Sequence, residues 1–261
     1  MSFPITPSFL LAVALVVTLA GAVNGVAGFG FAVVGTMALA TVVDPAVAVA
    51  FMIVPILAVN VSLVRELDGD QVRSCGRRFG PLLVAATVGT VLGMILLDFL
   101  PESPLRVGLG AVTLAFVAVS QRIVPVPTLT SDSANGRIER PTWMAAIGGV
   151  SGVLFGATNV GVQLVAYLRS RNLSHELFVG VVALVFLGIN GVRVAVAGTI
   201  GLYPDATTVA LSVAAAVPAA AGVALGARLR PRLSDRLRRG LVLGLLTVIG
   251  IRLTLGGLGL A

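Results

Sequence analysis

The sequence predicts an all-α polytopic membrane protein made of two inverted repeats, each a broken re-entrant hairpin followed by three transmembrane helices. Three observations predict it. First, 57% of the 261 residues are hydrophobic and only 11% charged, with a mean hydropathy of +1.05. A soluble domain carries about 25% charged residues, and 11% cannot cover the surface of a globule of this size. The same figures exclude disorder, which needs low hydrophobicity and high charge. Second, the apolar residues fall into eight stretches long enough to cross a bilayer. Third, short residue patterns in the first half recur in order in the second.

The stretches run roughly over 8–43, 46–64, 79–99, 105–121, 142–168, 176–199, 206–227 and 240–260. About 20 apolar residues cross the hydrocarbon core once. The first stretch is too long for one crossing, and its centre reads Asn24-Gly25-Val26-Ala27-Gly28-Phe29-Gly30. Each glycine weakens a helix by about 1 kcal/mol, and Asn24 can cap one. The fifth has a similar centre, Gly148-Gly149-Val150-Ser151-Gly152 followed by Gly156-Ala157-Thr158-Asn159-Val160-Gly161. Both read as broken helices.

The arginines orient the spans. All 18 basic residues are Arg, and basic residues accumulate in cytoplasmic loops. Fifteen form four clusters: Arg65 to Arg78, Arg122 to Arg140, Arg169 with Arg171, and Arg228 to Arg239. The other connections hold Asp44, Asp98, Glu102 and Asp205, with Arg106 as their one cation, and are expected to face out. The fifth stretch is flanked by arginines at both ends, so it enters and returns as a hairpin. If the first behaves likewise from the outside, the two halves are inverted and both termini lie outside the plasma membrane. A single tilted crossing in each is the alternative. No basic segment precedes the first apolar run, which favours a retained span over a cleaved signal peptide.

The repeat is legible in ordered matches. Gly21 to Val26 matches Gly148 to Val153 at an offset of 127; Ala46 to Val64 runs parallel to Glu176 to Val194 at 130, setting Asn60 against Asn190; Val91 to Met94 matches Ala224 to Ala227 at 133. Leu100-Pro101-Glu102 then matches Leu233-Ser234-Asp235. Residues 1–124 form the first repeat, 125–140 a polar cytoplasmic linker and 141–261 the second repeat. Inverted repeats with broken helices are an architecture of secondary transporters, which bind substrate where the broken ends meet.

The pattern Gly21-x-x-Asn24-Gly25-x-x-Gly28-x-Gly30, followed by an apolar half-helix and a span starting Asp44-Pro45-Ala46, resembles the first repeat of the TauE/SafE family of sulfite-exporter-like permeases. The second repeat recurs at Gly148 to Gly161, and Leu225 to Leu233 is similar to the family's closing arginine-rich loop. This chain departs from the usual triple-glycine run, having Gly28-Phe29-Gly30-Phe31. The resemblance implies export or uptake of a small anion such as sulfite, an organosulfonate or a related organic acid.

An anion suits these residues. A helix starting inside the protein presents unpaired N–H groups and about half a positive charge, and such ends bind oxyanions. The second arms are expected to start near Phe29–Gly30 and Thr158–Asn159. Asn24, Gly28, Gly30, Ser151, Thr158 and Asn159 would line the site. For the glycines the alternative is tight helix packing. Arg193 lies inside an apolar span one turn from Asn190 and would add positive potential; its alternative is snorkelling. Arg252 reads as a snorkelling anchor. Asn60 and Asn190 contact substrate or only bond between helices, and Gln163 is a weaker candidate. Gly149-Val150-Ser151-Gly152 also fits the Gly-x-Ser-Gly of rhomboid-type proteases, but the one histidine, His175, falls in a distant turn. A membrane scaffold without transport is the third reading. One Cys and one His argue against a metal site built from these residues. The expected partners are the anion and the bilayer, with no cofactor, no nucleic acid and no enzymatic activity; a homo-oligomer is left open.

Overall fold

The computed structural model describes residues 6–27, 30–64, 79–120, 141–161, 164, 167, 168 and 175–260. These residues form helices and connecting turns, with no strand among them. In chain order the helices are α1 (Pro7–Ala27), α2 (Phe31–Leu39), α3 (Pro45–Val64), α4 (Gly80–Phe99), α5 (Glu102–Ser120), α6 (Pro141–Thr158), α7 (His175–Thr199), α8 (Ala206–Ala214), α9 (Ala216–Leu229) and α10 (Asp235–Gly257). A short 3₁₀ turn, Arg230–Arg232, joins α9 to α10. The expected apolar stretches therefore appear as helices, and the first is broken between α1 and α2. Linker 125–140, Gly28, Gln163 and the arginine clusters before Arg228 lie outside the described residues.

Among the described residues, five segments are long and apolar enough to cross a membrane: Pro7–Val26, Gly80–Leu97, Glu102–Val119, Ala206–Arg232 and Gly240–Gly257. Their exposed faces are apolar. Leu11, Leu15 and Leu19 line one face of α1 at four-residue spacing, and Val84, Val88 and Leu92 do the same on α4. Long exposed apolar stripes are costly in water and at home against lipid tails. The chain is a multi-pass membrane protein.

The helices gather into two compact units: residues 1–59, 98–125 and 201–261 in one, and 60–97 and 126–200 in the other. Each unit draws on both halves of the sequence. In the first, α1 lies along α9 and α5 along α10. The α1–α9 contact is backbone against backbone. A Cβ added to Gly21 would lie 2.5 Å from the Ala219 carbonyl oxygen, and one added to Gly25 would collide with the Val223 carbonyl. Gly222 and Gly226 are equally closed by the carbonyls of Thr18 and Ala22. In the second unit α6 lies against α4 in the same way. Gly148, Gly152 and Gly156 meet the carbonyls of Leu82, Ala86 and Thr90, while Gly89 and Gly93 meet those of Gly149 and Val153.

These two seams use corresponding residues. Gly21 and Gly25 match Gly148 and Gly152 at the offset of 127, and Gly89 and Gly93 match Gly222 and Gly226 at 133. Small residues at four-residue spacing let helix backbones approach where no hydrophobic force between helices exists. The recurrence of one seam in both units supports the internal repeat. It also gives most of the glycines in the two motifs a packing role.

Three further devices hold the first unit. Pro55 lies inside α3 and cannot donate to the Phe51 carbonyl; the buried Ser212 hydroxyl of α8 donates to that oxygen at 2.6 Å. Arg106 on α5 donates to Ala40 O at 2.8 Å and Val43 O at 3.1 Å, just past the end of α2, and pairs with Glu102. A cation at a helix C-terminus offsets its dipole and unpaired carbonyls. The lone arginine among the acidic connections is thus a clasp on the end of the hairpin. Asp205 caps α8, accepting from the Thr208 N–H at 2.6 Å and from its hydroxyl, and these bonds hold its carboxyl below the usual range.

The seams make a direct prediction. Gly25→Val and Gly152→Val should each cost about 1–3 kcal/mol by overpacking against backbone, read as a lowered melting temperature in detergent. Gly108, exposed on α5 with open space around it, should accept Ala without loss. Equal melting temperatures for all three variants would refute the seam.

Candidate functional site

The first break is built by Gly30 and Asn24. Gly30 has φ +103° and directly precedes α2. That left-handed conformation is costly for residues with a Cβ. The Asn24 side-chain oxygen accepts from the Phe31 N–H at 3.4 Å, a long bond that caps the start of α2. The sequence assigned Asn24 this capping capacity. The remaining N–H groups of the first turn have no acceptor within the helix, and α2 carries none of its own acidic residues there.

The chain reverses at this break. Positions as far apart in sequence as Ala20 and Gly35 come together: a Cβ on Gly35 would lie 3.4 Å from the Ala20 Cβ. In an unbroken helix they would be about 22 Å apart. With its nine residues, α2 extends about 13 Å, less than half of a hydrocarbon core of about 30 Å. Seven of those residues are buried. The first stretch is therefore a hairpin with one long and one short arm.

The second break differs in detail. Helix α6 runs through Thr158, and Asn159 adopts φ +59°. Asn tolerates the left-handed region better than most residues, and a left-handed residue after the last turn is a common helix stop. The Asn159 N–H donates to Phe155 O at 2.9 Å. The Thr158 hydroxyl donates to Leu154 O and accepts from the Val160 N–H at 3.1 Å. Asn159 to Gly161 are non-helical, and helical residues recur at Leu164, Tyr167 and Leu168. The second arm thus begins later than the expected Thr158–Asn159. The reason is that both residues close the first arm, with Thr158 committed to local bonds. Leu164, Tyr167 and Leu168 share one buried cluster with Met144 and Phe155 of α6 and with Val185 and Ile189 of α7.

Arg193 joins this break. Its side chain is 0% exposed, so it does not snorkel. The guanidinium carbon sits 4.8 Å from the centroid of the Phe155 ring, a cation–π contact. One guanidinium nitrogen, Nη1, donates at 3.4 Å to the Asn190 side-chain oxygen, whose amide donates to Phe186 O at 2.7 Å. Phe186 stands edge-on to Phe155, with centroids 5.4 Å apart. Gly161 makes room for both rings: a Cβ there would lie 2.5 Å from Phe186 and 3.1 Å from Phe155. Burying an arginine at a span centre costs about 2.5–3.5 kcal/mol or more. Here an aromatic face and an amide help to hold it.

Among the expected residues, Asn24 and Gly30 thus meet at the first break, while Thr158, Asn159, Asn190 and Arg193 surround the second. Ser151 is buried within α6 beside the seam glycine Gly152. Asn60 is half-buried near the end of α3. Gly28 is outside the described residues. Arg252 is exposed, as a snorkelling anchor requires. The sequence reading missed Phe155 and Phe186. Spacing carried the signal: Phe186, Asn190 and Arg193 form one helical stripe, and Phe155 lies one turn before Asn159. No group of three or more His, Cys, Asp or Glu suited to a metal occurs among the described residues.

Two stability tests follow. Arg193→Met removes the cation–π contact with Phe155 and leaves the Asn190 side-chain oxygen without its guanidinium donor, so it should lower the melting temperature by the equivalent of about 1–3 kcal/mol; an unchanged melting temperature would show that these contacts contribute no stability. Asn24→Ala should cost about 1 kcal/mol through the lost cap.

Comparison with known proteins gives one result. No curated protein and no solved structure matches the chain. A profile of the family described as sulfite exporter TauE/SafE matches residues 13–253, which takes in both broken hairpins, both glycine seams and Arg193. The chain belongs to the sulfite exporter TauE/SafE family, whose members are membrane transporters of sulfite and related anions.

Proposed function

We propose that this protein is a secondary transporter of a small anion, with sulfite, an organosulfonate or a related organic acid as substrate. The observation that carries the reading is Arg193, a guanidinium fully buried beside a helix break in a membrane protein. An intramembrane arginine is costly enough to be a functional candidate by default, and its planar donor fork suits oxyanions. The capped start of α2 in the other unit offers N–H donors of the kind that bind anions without a lysine. Asn24, Gly28, Gly30, Asn60, Ser151, Thr158, Asn159, Asn190 and Arg193 are the proposed substrate-contacting residues. Thr158 and Asn159 would act through backbone as well as side chain, since the Thr158 hydroxyl is engaged locally.

What supports transport over proteolysis is the setting of Ser151. It lies inside a continuous helix, next to Gly152 packed on Ala86. A nucleophile needs a base within about 2.6–3.2 Å and access to substrate. A scaffold would gain nothing from a buried arginine.

Proteoliposomes loaded with labelled sulfite, a sulfonate or acetate provide the test. Wild-type protein should show flux of at least one anion, and Arg193→Met should lower it at least about tenfold, the loss expected for one charge-assisted contact. Absence of flux and of binding for all three would overturn the proposal. Casein cleavage that disappears in Ser151→Ala would favour the protease instead.

For topology we propose both termini outside the cell membrane and residues 125–140 inside. Single cysteines at Ser2 and Asp132, placed in a Cys75→Ser background, should react with impermeant maleimide from opposite sides. Reaction from one side would contradict the two-hairpin arrangement.

A further inference from the structure

We propose that the turn between α9 and α10 is a binding surface for an anionic phospholipid. Arg228 ends α9, Arg230 and Arg232 form the 3₁₀ turn, and Arg236 lies in the first turn of α10; all four are exposed. The turn is compact. The Leu233 N–H donates to Arg230 O at 3.4 Å, and the Ser234 hydroxyl caps α10 by accepting from the Leu237 N–H at 3.4 Å. Four guanidinium groups are thereby confined to nine residues at the end of two membrane helices. The carboxylate within this run is Asp235, whose side chain lies outside the described residues.

The second observation is apolar. Leu225 and Leu229 on α9 and Leu237 and Leu241 on α10 are between 45% and 57% exposed, each pair one helical turn apart. Helix α9 packs along α1 and α10 along α5. The two therefore leave the turn without pairing extensively with each other, and their leucines stay uncovered. Basic groups over exposed leucines match the two parts of one molecule. Guanidinium binds phosphodiester oxygens through paired donors, and acyl chains cover leucine. Clusters of four or more basic residues beside a membrane helix attract anionic lipid at about 1 kcal/mol each. An orientation signal alone needs charge in this loop but not the compact, capped turn that gathers it.

The test uses the full chain purified in detergent and melted with added phosphatidylglycerol, phosphatidylcholine or inorganic phosphate. Phosphatidylglycerol should raise the melting temperature saturably, and the other two should not. R230Q/R232Q and R228Q/R236Q each leave four arginines between positions 228 and 239, enough to preserve insertion. Each should weaken the phosphatidylglycerol response at least about tenfold, two arginines' share at about fivefold apiece. An equal response to phosphatidylcholine would reduce the surface to general lipid contact and overturn the proposal. An equal response to phosphate would make it an inorganic anion site, and an unchanged response in both variants would place the lipid elsewhere. Either result refutes it.

Discussion

A peptide group inside hydrocarbon has no water to bond, so a helix interrupted there must have its free N–H and C=O groups held by protein. This protein meets that constraint three times by three means. At Gly30 a side-chain amide from the preceding arm, Asn24, receives the first N–H of α2. At Asn159 the end of α6 folds onto itself, with a left-handed residue and a threonine hydroxyl closing the last turn. At Pro55, within the continuous α3, the Phe51 carbonyl accepts from a hydroxyl of another helix, Ser212. The breaks can exist because each is provided for, and the short arm α2 depends on both its ends. Asn24 holds one and Arg106 the other.

Close backbone approach is the second requirement, and it explains why glycine dominates both motifs. Gly21 and Gly25 on α1, like Gly148 and Gly152 on α6, have carbonyl oxygens where a side chain would begin. Their partner helices carry glycines at the same spacing. In lipid, such contact replaces the hydrophobic force that holds soluble helices together. The same glycine spacing closes the seam in each unit. Glycines that look like ligand-approach residues in the sequence are mostly a packing seam; among the described ones, Gly30 is the glycine whose backbone makes a break.

Arg193 gives the second unit its chemical character. A guanidinium on an aromatic face keeps its edges for hydrogen bonding while the ring stabilises its charge. Asn190 orients it and is itself oriented by the Phe186 carbonyl. Gly161 leaves space for the two rings that carry this arrangement. The aromatic face of Phe155 and the Asn190 amide offset part of the cost of burying the ion.

Composition alone pointed to a membrane, and the run lengths marked the apolar helices and the interruption of the first stretch. These properties are local: hydropathy over 20 residues and the backbone cost of glycine and proline do not depend on distant contacts. The glycine spacing shared by the two seams was legible too, because it is a local pattern. What only the tertiary structure decided is which residue does what. Whether Gly25 faces a ligand or the Val223 carbonyl, whether Arg193 reaches the surface or Phe155, and whether Arg106 is a stray charge or a clasp on α2 all depend on pairings across dozens to hundreds of positions. A period along one helix shows which residues share a face. It carries no information on what that face meets.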